Sequence, residues 1–157
     1  YGSAVGDQTT ASMIVRLGGD APTVFVTGTS LPCVSLMKPY RFGNPARLPV
    51  SVPGDAAAVE YWRAAEAYRR ALLGKRIPQS FYEERDALEA GWAKDVSNDA
   101  AAMDELLGRA MREEAAFYQK YDPKTLPDVA TKPSFRKNWA KKNKAFFAQA
   151  EASGDDA

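Results

Sequence analysis

The sequence contains no histidine and only one cysteine, Cys33, among its 157 residues. Histidine is the side chain that most often serves as a general base, proton shuttle or metal ligand near neutral pH. Its absence excludes Ser-His-Asp triads and histidine-held metal or haem sites, and a single cysteine excludes an internal disulfide and cysteine-pair zinc sites. We therefore expect no catalytic residue, no metal and no cofactor, and a non-catalytic role is the leading interpretation.

An excess of charge of one sign and long apolar runs are also missing. The 21 basic and 20 acidic residues give a formal net charge of +1, so no overall field attracts nucleic acid or an anionic membrane. No apolar run approaches the ~20 residues that a membrane-spanning helix requires. The apolar fraction of 45% is ordinary for a globular protein and sufficient for one core.

Composition changes near Asp55, which divides the chain into two parts. Six of the ten prolines and seven of the eleven glycines precede Ala56. In the first part, residues 12–17, 23–27 and 33–37 form β-branched or alternating runs separated by glycine, which predicts two or three short strands. Prolines at 39, 45, 49 and 53 are too dense for a helix or a central strand. They predict an extended arm over residues 38–54 that makes few contacts with the rest of the chain.

After Gly54 the apolar pattern becomes helical. We predict a first helix capped by Asp55 and stopped by Gly74, and a second that begins with a capping box of Ser80 and Glu83. A third helix is predicted from about Asp99 to Tyr121, and a fourth from Ser134 to about Ala150. The predicted buried positions are Ala58, Tyr61, Ala65, Tyr68 and Leu72, then Phe81, Leu88 and Trp92, then Met103, Leu106, Leu107, Ala110, Met111, Phe117, Tyr118 and Tyr121.

The expected fold is thus mainly α, with three to four helices after residue 55 and a short β-containing, Pro/Gly-rich extended arm before them. By domain, residues 1–54 form the arm, 55–152 the helical domain and 153–157 a loose tail.

The fourth predicted helix carries the most suggestive pattern. Basic residues from Lys132 to Lys144 are interrupted by no acid, and aromatic residues recur at roughly helical spacing. Such a helix suits an acidic protein or an anionic membrane surface, while nucleic acid is disfavoured because six local charges offer few phosphate contacts. The alternative is that the aromatics pack internally and the lysines are solvated. The candidate partner-binding residues are Phe135, Arg136, Lys137, Trp139, Lys141, Lys142, Lys144 and Phe146, with Tyr40 and Phe42 on the arm.

Other chemically capable residues receive ordinary structural interpretations. The carboxylates Glu83, Glu84, Asp86, Glu89, Glu113 and Glu114 are expected on solvent-facing helix surfaces. Cys33 follows a proline in an apolar run, which predicts a small buried side chain. The glycine pairs match no phosphate-binding motif and indicate turns.

Pro-rich arms and aromatic-rich helices are typical of accessory subunits that hold larger assemblies together. We therefore expect a non-catalytic structural or linker subunit whose partners are other protein subunits. The chain begins with Tyr1, and if a targeting peptide has been removed, we expect a peripheral subunit of a photosynthetic or respiratory membrane complex in a plastid or mitochondrion. A component of a virion or of a secretion machine is a second interpretation in the same class. The alternative is a small enzyme or ligand-binding protein that uses carboxylates, tyrosines and backbone donors.

Overall fold

Four helices follow a small sheet, which confirms the predicted mainly α fold. The computed structural model describes residues 11–18, 22–41 and 56–152. The elements, in order, are β1 (Ser12–Arg16), β2 (Thr23–Thr27), a 3-10 turn (Pro32–Val34), β3 (Lys38–Arg41), α1 (Ala56–Leu72), α2 (Gln79–Lys94), α3 (Ala100–Lys120) and α4 (Pro133–Ala152).

The strands form an antiparallel sheet in the order β1-β2-β3. Ile14 lies opposite Phe25 in the first pair, and Phe25 lies opposite Pro39 in the second. The first two predicted strands are confirmed, but a third strand over residues 33–37 is wrong. Pro32 instead starts a 3-10 turn after Leu31, whose φ of 53° is left-handed, and the Ser35 hydroxyl closes the turn on the Leu31 carbonyl at 3.0 Å.

The prediction of a detached arm from residue 38 is wrong for its first four residues. They form β3, and Lys38 and Pro39 are buried. Proline is compatible with this position because β3 lies at the edge of the described sheet. Residues 42–54, including Phe42, lie outside the described residues, as do the predicted Asp55 cap and the 153–157 tail.

Helix ends follow local chemistry in most places. Gly74 adopts a φ of +82° just after α1, as its predicted role of helix stop requires. Asp99 caps α3 by accepting a hydrogen bond from the Ala102 N–H at 2.8 Å. The predicted capping box of α2 is wrong, because the extended Pro78 precedes the helix and Ser80 already lies inside its first turn. Similarly, α4 starts at Pro133, one residue before the predicted Ser134 cap.

One apolar core lies between α1, α2 and α3, as the helical periodicity predicts. Its buried residues are Val34, Leu36, Leu72, Phe81, Trp92, Met103, Leu106, Ala110, Phe117 and Tyr121. The rings of Phe81 and Phe117 lie 4.7 Å apart between centroids, and the ring of Tyr121 packs against both. Since Val34 and Leu36 belong to the same cluster, the segment between β2 and β3 takes part in the helical core.

Truncating the α3 side of this core should be costly. Leu106 and Phe117 are 3% and 2% exposed, so Leu106→Ala and Phe117→Ala should each lower the free energy of unfolding by about 2–5 kcal/mol. Leu17→Ala is the matched control, because Leu17 is 81% exposed and should lose less than about 0.5 kcal/mol. Urea unfolding followed by circular dichroism measures both, and equal midpoints for core and control variants would show that the helix buries another face.

Candidate functional site

Two aromatic residues of α4, Trp139 and Phe146, face α1. The ring of Phe146 meets Trp62 of α1 edge-on, with centroids 6.2 Å apart. The Arg70 guanidinium lies 4.4 Å from the Phe146 centroid and 5.6 Å from that of Trp139. Its Nε also donates to Glu66 Oε1 at 2.7 Å. Arg70 is thus paired with Glu66 and also makes cation–π contacts with Phe146 and Trp139. These contacts attach α4 to α1.

The basic residues of α4 lie on other sides of the helix. Lys142 is half-buried, with its ammonium 5.1 Å from the Trp139 centroid. The other cations at this end of the chain are exposed and have no ion pair with any described residue: Lys132, Arg136, Lys137, Lys141 and Lys144. Residues three, four and seven positions apart share a helix face, so Lys137, Lys141 and Lys144 form one line, here called the basic stripe.

The remaining candidate partner-binding residues fall in different places. Phe135 is half-buried at the start of α4 and borders a groove described below. Tyr40 is half-buried on β3, where it packs near Leu107 of α3. The structure thus brings the α4 candidates together on one helix, separates Tyr40 from them, and does not describe Phe42. Their part in partner binding stays a prediction.

β1 is a mainly apolar strand that the described helices do not cover. Within the described part of the chain it pairs with β2 alone and lies at the edge of the sheet. Met13, Ile14, Val15 and Leu17 are 63%, 56%, 41% and 81% exposed. Because successive side chains of a strand point to opposite faces, apolar surface is exposed on both faces of β1.

A buried ion pair joins β3 to α3. Lys38 Nζ donates to Glu114 Oε1 at 2.6 Å, and the two side chains are 7% and 2% exposed. The hydroxyl of Tyr61 donates to Glu114 Oε2 at 2.6 Å and that of Tyr118 to Oε1 at 3.1 Å. The expectation that Glu114 faces solvent is wrong. Its position, four residues after Ala110 and three before Phe117, places it in the buried stripe of α3, and that spacing is the signal that identifies it.

The other carboxylates differ in their exposure and in their hydrogen-bond partners. Glu83 and Asp86 are exposed, which confirms the prediction for them. The half-buried Glu113 accepts from Trp92 Nε1 at 2.6 Å, and the half-buried Glu89 accepts from the Met37 N–H at 2.8 Å. Glu84 accepts from Lys120 at 2.5 Å. Most of this set therefore holds neighbouring segments in place.

Hydroxyl groups before β3 continue the polar network that begins at Glu114. Arg69 is fully buried, and it donates from Nε to the Ser35 hydroxyl at 2.6 Å and from Nη2 to the Tyr118 hydroxyl at 2.8 Å. Glu66, which is 2% exposed, accepts a hydrogen bond from the Ser30 hydroxyl. α1 thus holds the segment between β2 and β3 through charged groups as well as through apolar contacts.

Burial sets the protonation of this network. Desolvation lowers the pKa of Lys38 although Glu114 favours its charged form. Desolvation, reinforced by the Glu114 carboxylate, raises the pKa of Tyr61 and of Tyr118 well above the usual range. Both phenols therefore remain protonated hydrogen-bond donors at neutral pH.

Two grooves border these elements. The first, of about 530 Å³, lies between α1 and α3 and is lined by Tyr61, Tyr68, Tyr118 and Glu114 among others. The second, of about 540 Å³, is lined by residues of the 3-10 turn, the end of α1 and the start of α4. Cys33 borders the second groove and is exposed, so its predicted burial is wrong. The 3-10 turn directs Val34 into the core and leaves the preceding residue outside.

Neither a metal centre nor a membrane-crossing helix is present in the parts of the chain that the structure describes. Across residues 11–18, 22–41 and 56–152, no three Asp, Glu or Cys side chains are grouped closely enough to hold a metal ion. The described helices are also too short of apolar residues to cross a bilayer. In comparisons with known proteins, no family model, no curated protein and no solved structure matched the chain.

The buried phenols give the network a measurable signature. Burial raises the pKa of Tyr61, Tyr68 and Tyr118, so they contribute stability that is present below their unfolded pKa of about 10 and is lost as the pH rises above it. Alkaline titration followed by phenolate absorbance should therefore show ionisation of these groups only with unfolding.

The variant Tyr118→Phe tests the assignment. It should leave the absorbance gained near pH 10 unchanged and reduce only the later gain that accompanies the loss of circular dichroism. A reduced early gain would mean that Tyr118 is accessible to solvent in the folded protein.

Proposed function

We propose that the protein is a non-catalytic structural subunit of a larger protein assembly and that it contacts neighbouring subunits through β1 and α4. The observation that carries the proposal is the exposure of apolar side chains on β1, at the edge of the sheet. Met13, Ile14, Val15 and Leu17 expose apolar surface on both faces of an edge strand. Exposed apolar patches and unpaired strand edges are typical of protein-protein interaction sites.

The backbone of β1 favours an extended partner segment. An edge strand presents N–H and C=O groups that a further strand can pair with, and the alternating side chains then add apolar contact on each face. Arg16 is the only charged residue of this strand. A mainly apolar strand of a neighbouring subunit therefore suits this edge.

The basic stripe of α4 favours an acidic protein surface as a second contact. Lys137, Lys141 and Lys144 are exposed, have no ion pair with a described residue, and lie on a chain whose net charge is only +1. Three aligned lysines provide a local attraction that the whole molecule does not. They are too few for strong binding to nucleic acid, which depends on many phosphate contacts.

The second candidate function is a ligand-binding protein or a small enzyme, and the observation that favours it is the first groove. Its volume of about 530 Å³ lies within the range of ligand pockets, and Tyr61, Tyr118 and Glu114 converge on it. However, both oxygens of Glu114 already accept hydrogen bonds, and Lys38 neutralises its charge. A carboxylate in that state suits a structural role better than acid-base chemistry.

The proposal is tested by charging β1 without changing the net charge. In Ile14→Glu/Val15→Lys, one charge lies on each face of the strand, and partner docking should be lost while the helical core is unaffected. Tagged chains, expressed in cells of the source organism and extracted gently, are compared by sedimentation. The wild-type chain should sediment within a large particle, and the variant should sediment as a free small protein.

The matched control is Val59→Glu/Val129→Lys, which charges two apolar residues outside β1 and α4 that are 39% and 36% exposed. It should remain in the particle. A wild-type chain that sediments alone would contradict the proposed function. A particle that retains the β1 variant as well as the control would show that β1 is not the contact.

A further inference from the structure

The second groove combines an apolar lining with positive charge. Leu31, Val34, Leu72, Ile77 and Phe135 are among the apolar residues that line it. The charged residues that line it are both lysines, Lys75 and Lys132, and no carboxylate of a described residue takes part in the lining. A ligand suited to this lining offers an apolar surface together with a negative charge.

Of the two lysines, Lys132 is available for a ligand. Lys75 Nζ lies 2.8 Å from Asp128 Oδ1, and this pair belongs to a bridge between the two segments. Lys132 is exposed and forms no ion pair with a described residue. It directly precedes α4, and its carbonyl accepts the Arg136 N–H at 3.2 Å, so the positive end of the α4 dipole lies beside it.

The volume of the groove suits a small-molecule ligand. Its volume of about 540 Å³ lies in the middle of the range observed for small-molecule sites, which are mostly apolar with a few placed polar groups. Phe135 follows Lys132 by three residues and borders the same groove. The Phe135 ring and the Lys132 ammonium are therefore adjacent at the start of α4.

We propose that the second groove binds a single-chain amphipathic anion of the long-chain carboxylate class. The hydrocarbon chain lies along the apolar lining, and the carboxylate pairs with the Lys132 ammonium at the first turn of α4. This site is independent of β1 and of the basic stripe, so it goes beyond the proposed structural function and does not rest on it.

The only cysteine of the chain provides a reporter for this site. Cys33 is exposed and borders the groove, so a bound chain should shield its thiol. The experiment measures the rate of alkylation by uncharged iodoacetamide, using mass spectrometry, while dodecanoate is added below its micelle concentration. Alkylation should slow in a saturable manner, with circular dichroism unchanged.

Head group and chain length test the two parts of the site separately. Dodecyltrimethylammonium has the same chain and the opposite charge, and it should protect Cys33 at least about tenfold less well, as expected for loss of one charge-assisted contact. Octanoate and decanoate should bind progressively more weakly than dodecanoate, by up to about fourfold per methylene removed.

Lys132→Glu and Lys137→Glu form a matched pair on the same end of the molecule. Both change an exposed lysine in the same way, but only Lys132 borders the groove. Lys132→Glu should weaken protection by dodecanoate about tenfold or more, whereas Lys137→Glu should leave it within about twofold. The proposal is overturned if dodecanoate gives no protection, if both head groups protect equally, or if the two variants behave alike.

Discussion

The ion pair between Lys38 and Glu114 is the contact on which the N-terminal half of the structure depends. It joins β3 to α3 at 2.6 Å in an almost fully buried setting, and β2 and then β1 extend outward from β3. Taking two charges out of water is costly, so such a pair adds little stability by itself, but removing one partner leaves a buried charge. The hydroxyls of Tyr61 and Tyr118 also donate hydrogen bonds to the Glu114 carboxylate. We infer that the pair fixes where the sheet sits on the helices.

A second charged contact determines which side of α4 faces α1. Arg70 pairs with Glu66 and lies against the rings of Trp139 and Phe146, which directs the aromatic side of α4 toward α1. The basic stripe is consequently exposed, and the first turn of α4 borders the second groove. Interior charges thus position three surfaces that the proposals use: the β1 edge, the basic stripe and the second groove.

The sequence predicts features that depend on neighbouring residues and misses those that depend on distant ones. Periodicity places all four helices and the core face of α3, and Asp99 and Gly74 mark helix ends by local chemistry. The pairing of Lys38 with Glu114 joins residues 76 positions apart, and no local pattern indicates it. The prolines predict an arm, yet Pro39 fits an edge strand whose position only the tertiary fold decides. For the candidate site, the sequence predicts the helix that carries the basic stripe. Both grooves are lined by residues that are far apart in the sequence, so only the tertiary fold reveals them.

A double-mutant cycle on Lys38→Met and Glu114→Gln tests the central claim, that this buried pair fixes the N-terminal sheet on the helical body. Each single variant should lose about 3–5 kcal/mol of unfolding free energy because it leaves one polar or charged group buried without its partner. The double variant should lose less than the sum, and amide hydrogen exchange in β2 should rise most in the single variants. Glu105→Gln, on an exposed position of α3, is the control. Additive losses with unchanged exchange in β2 would contradict the account.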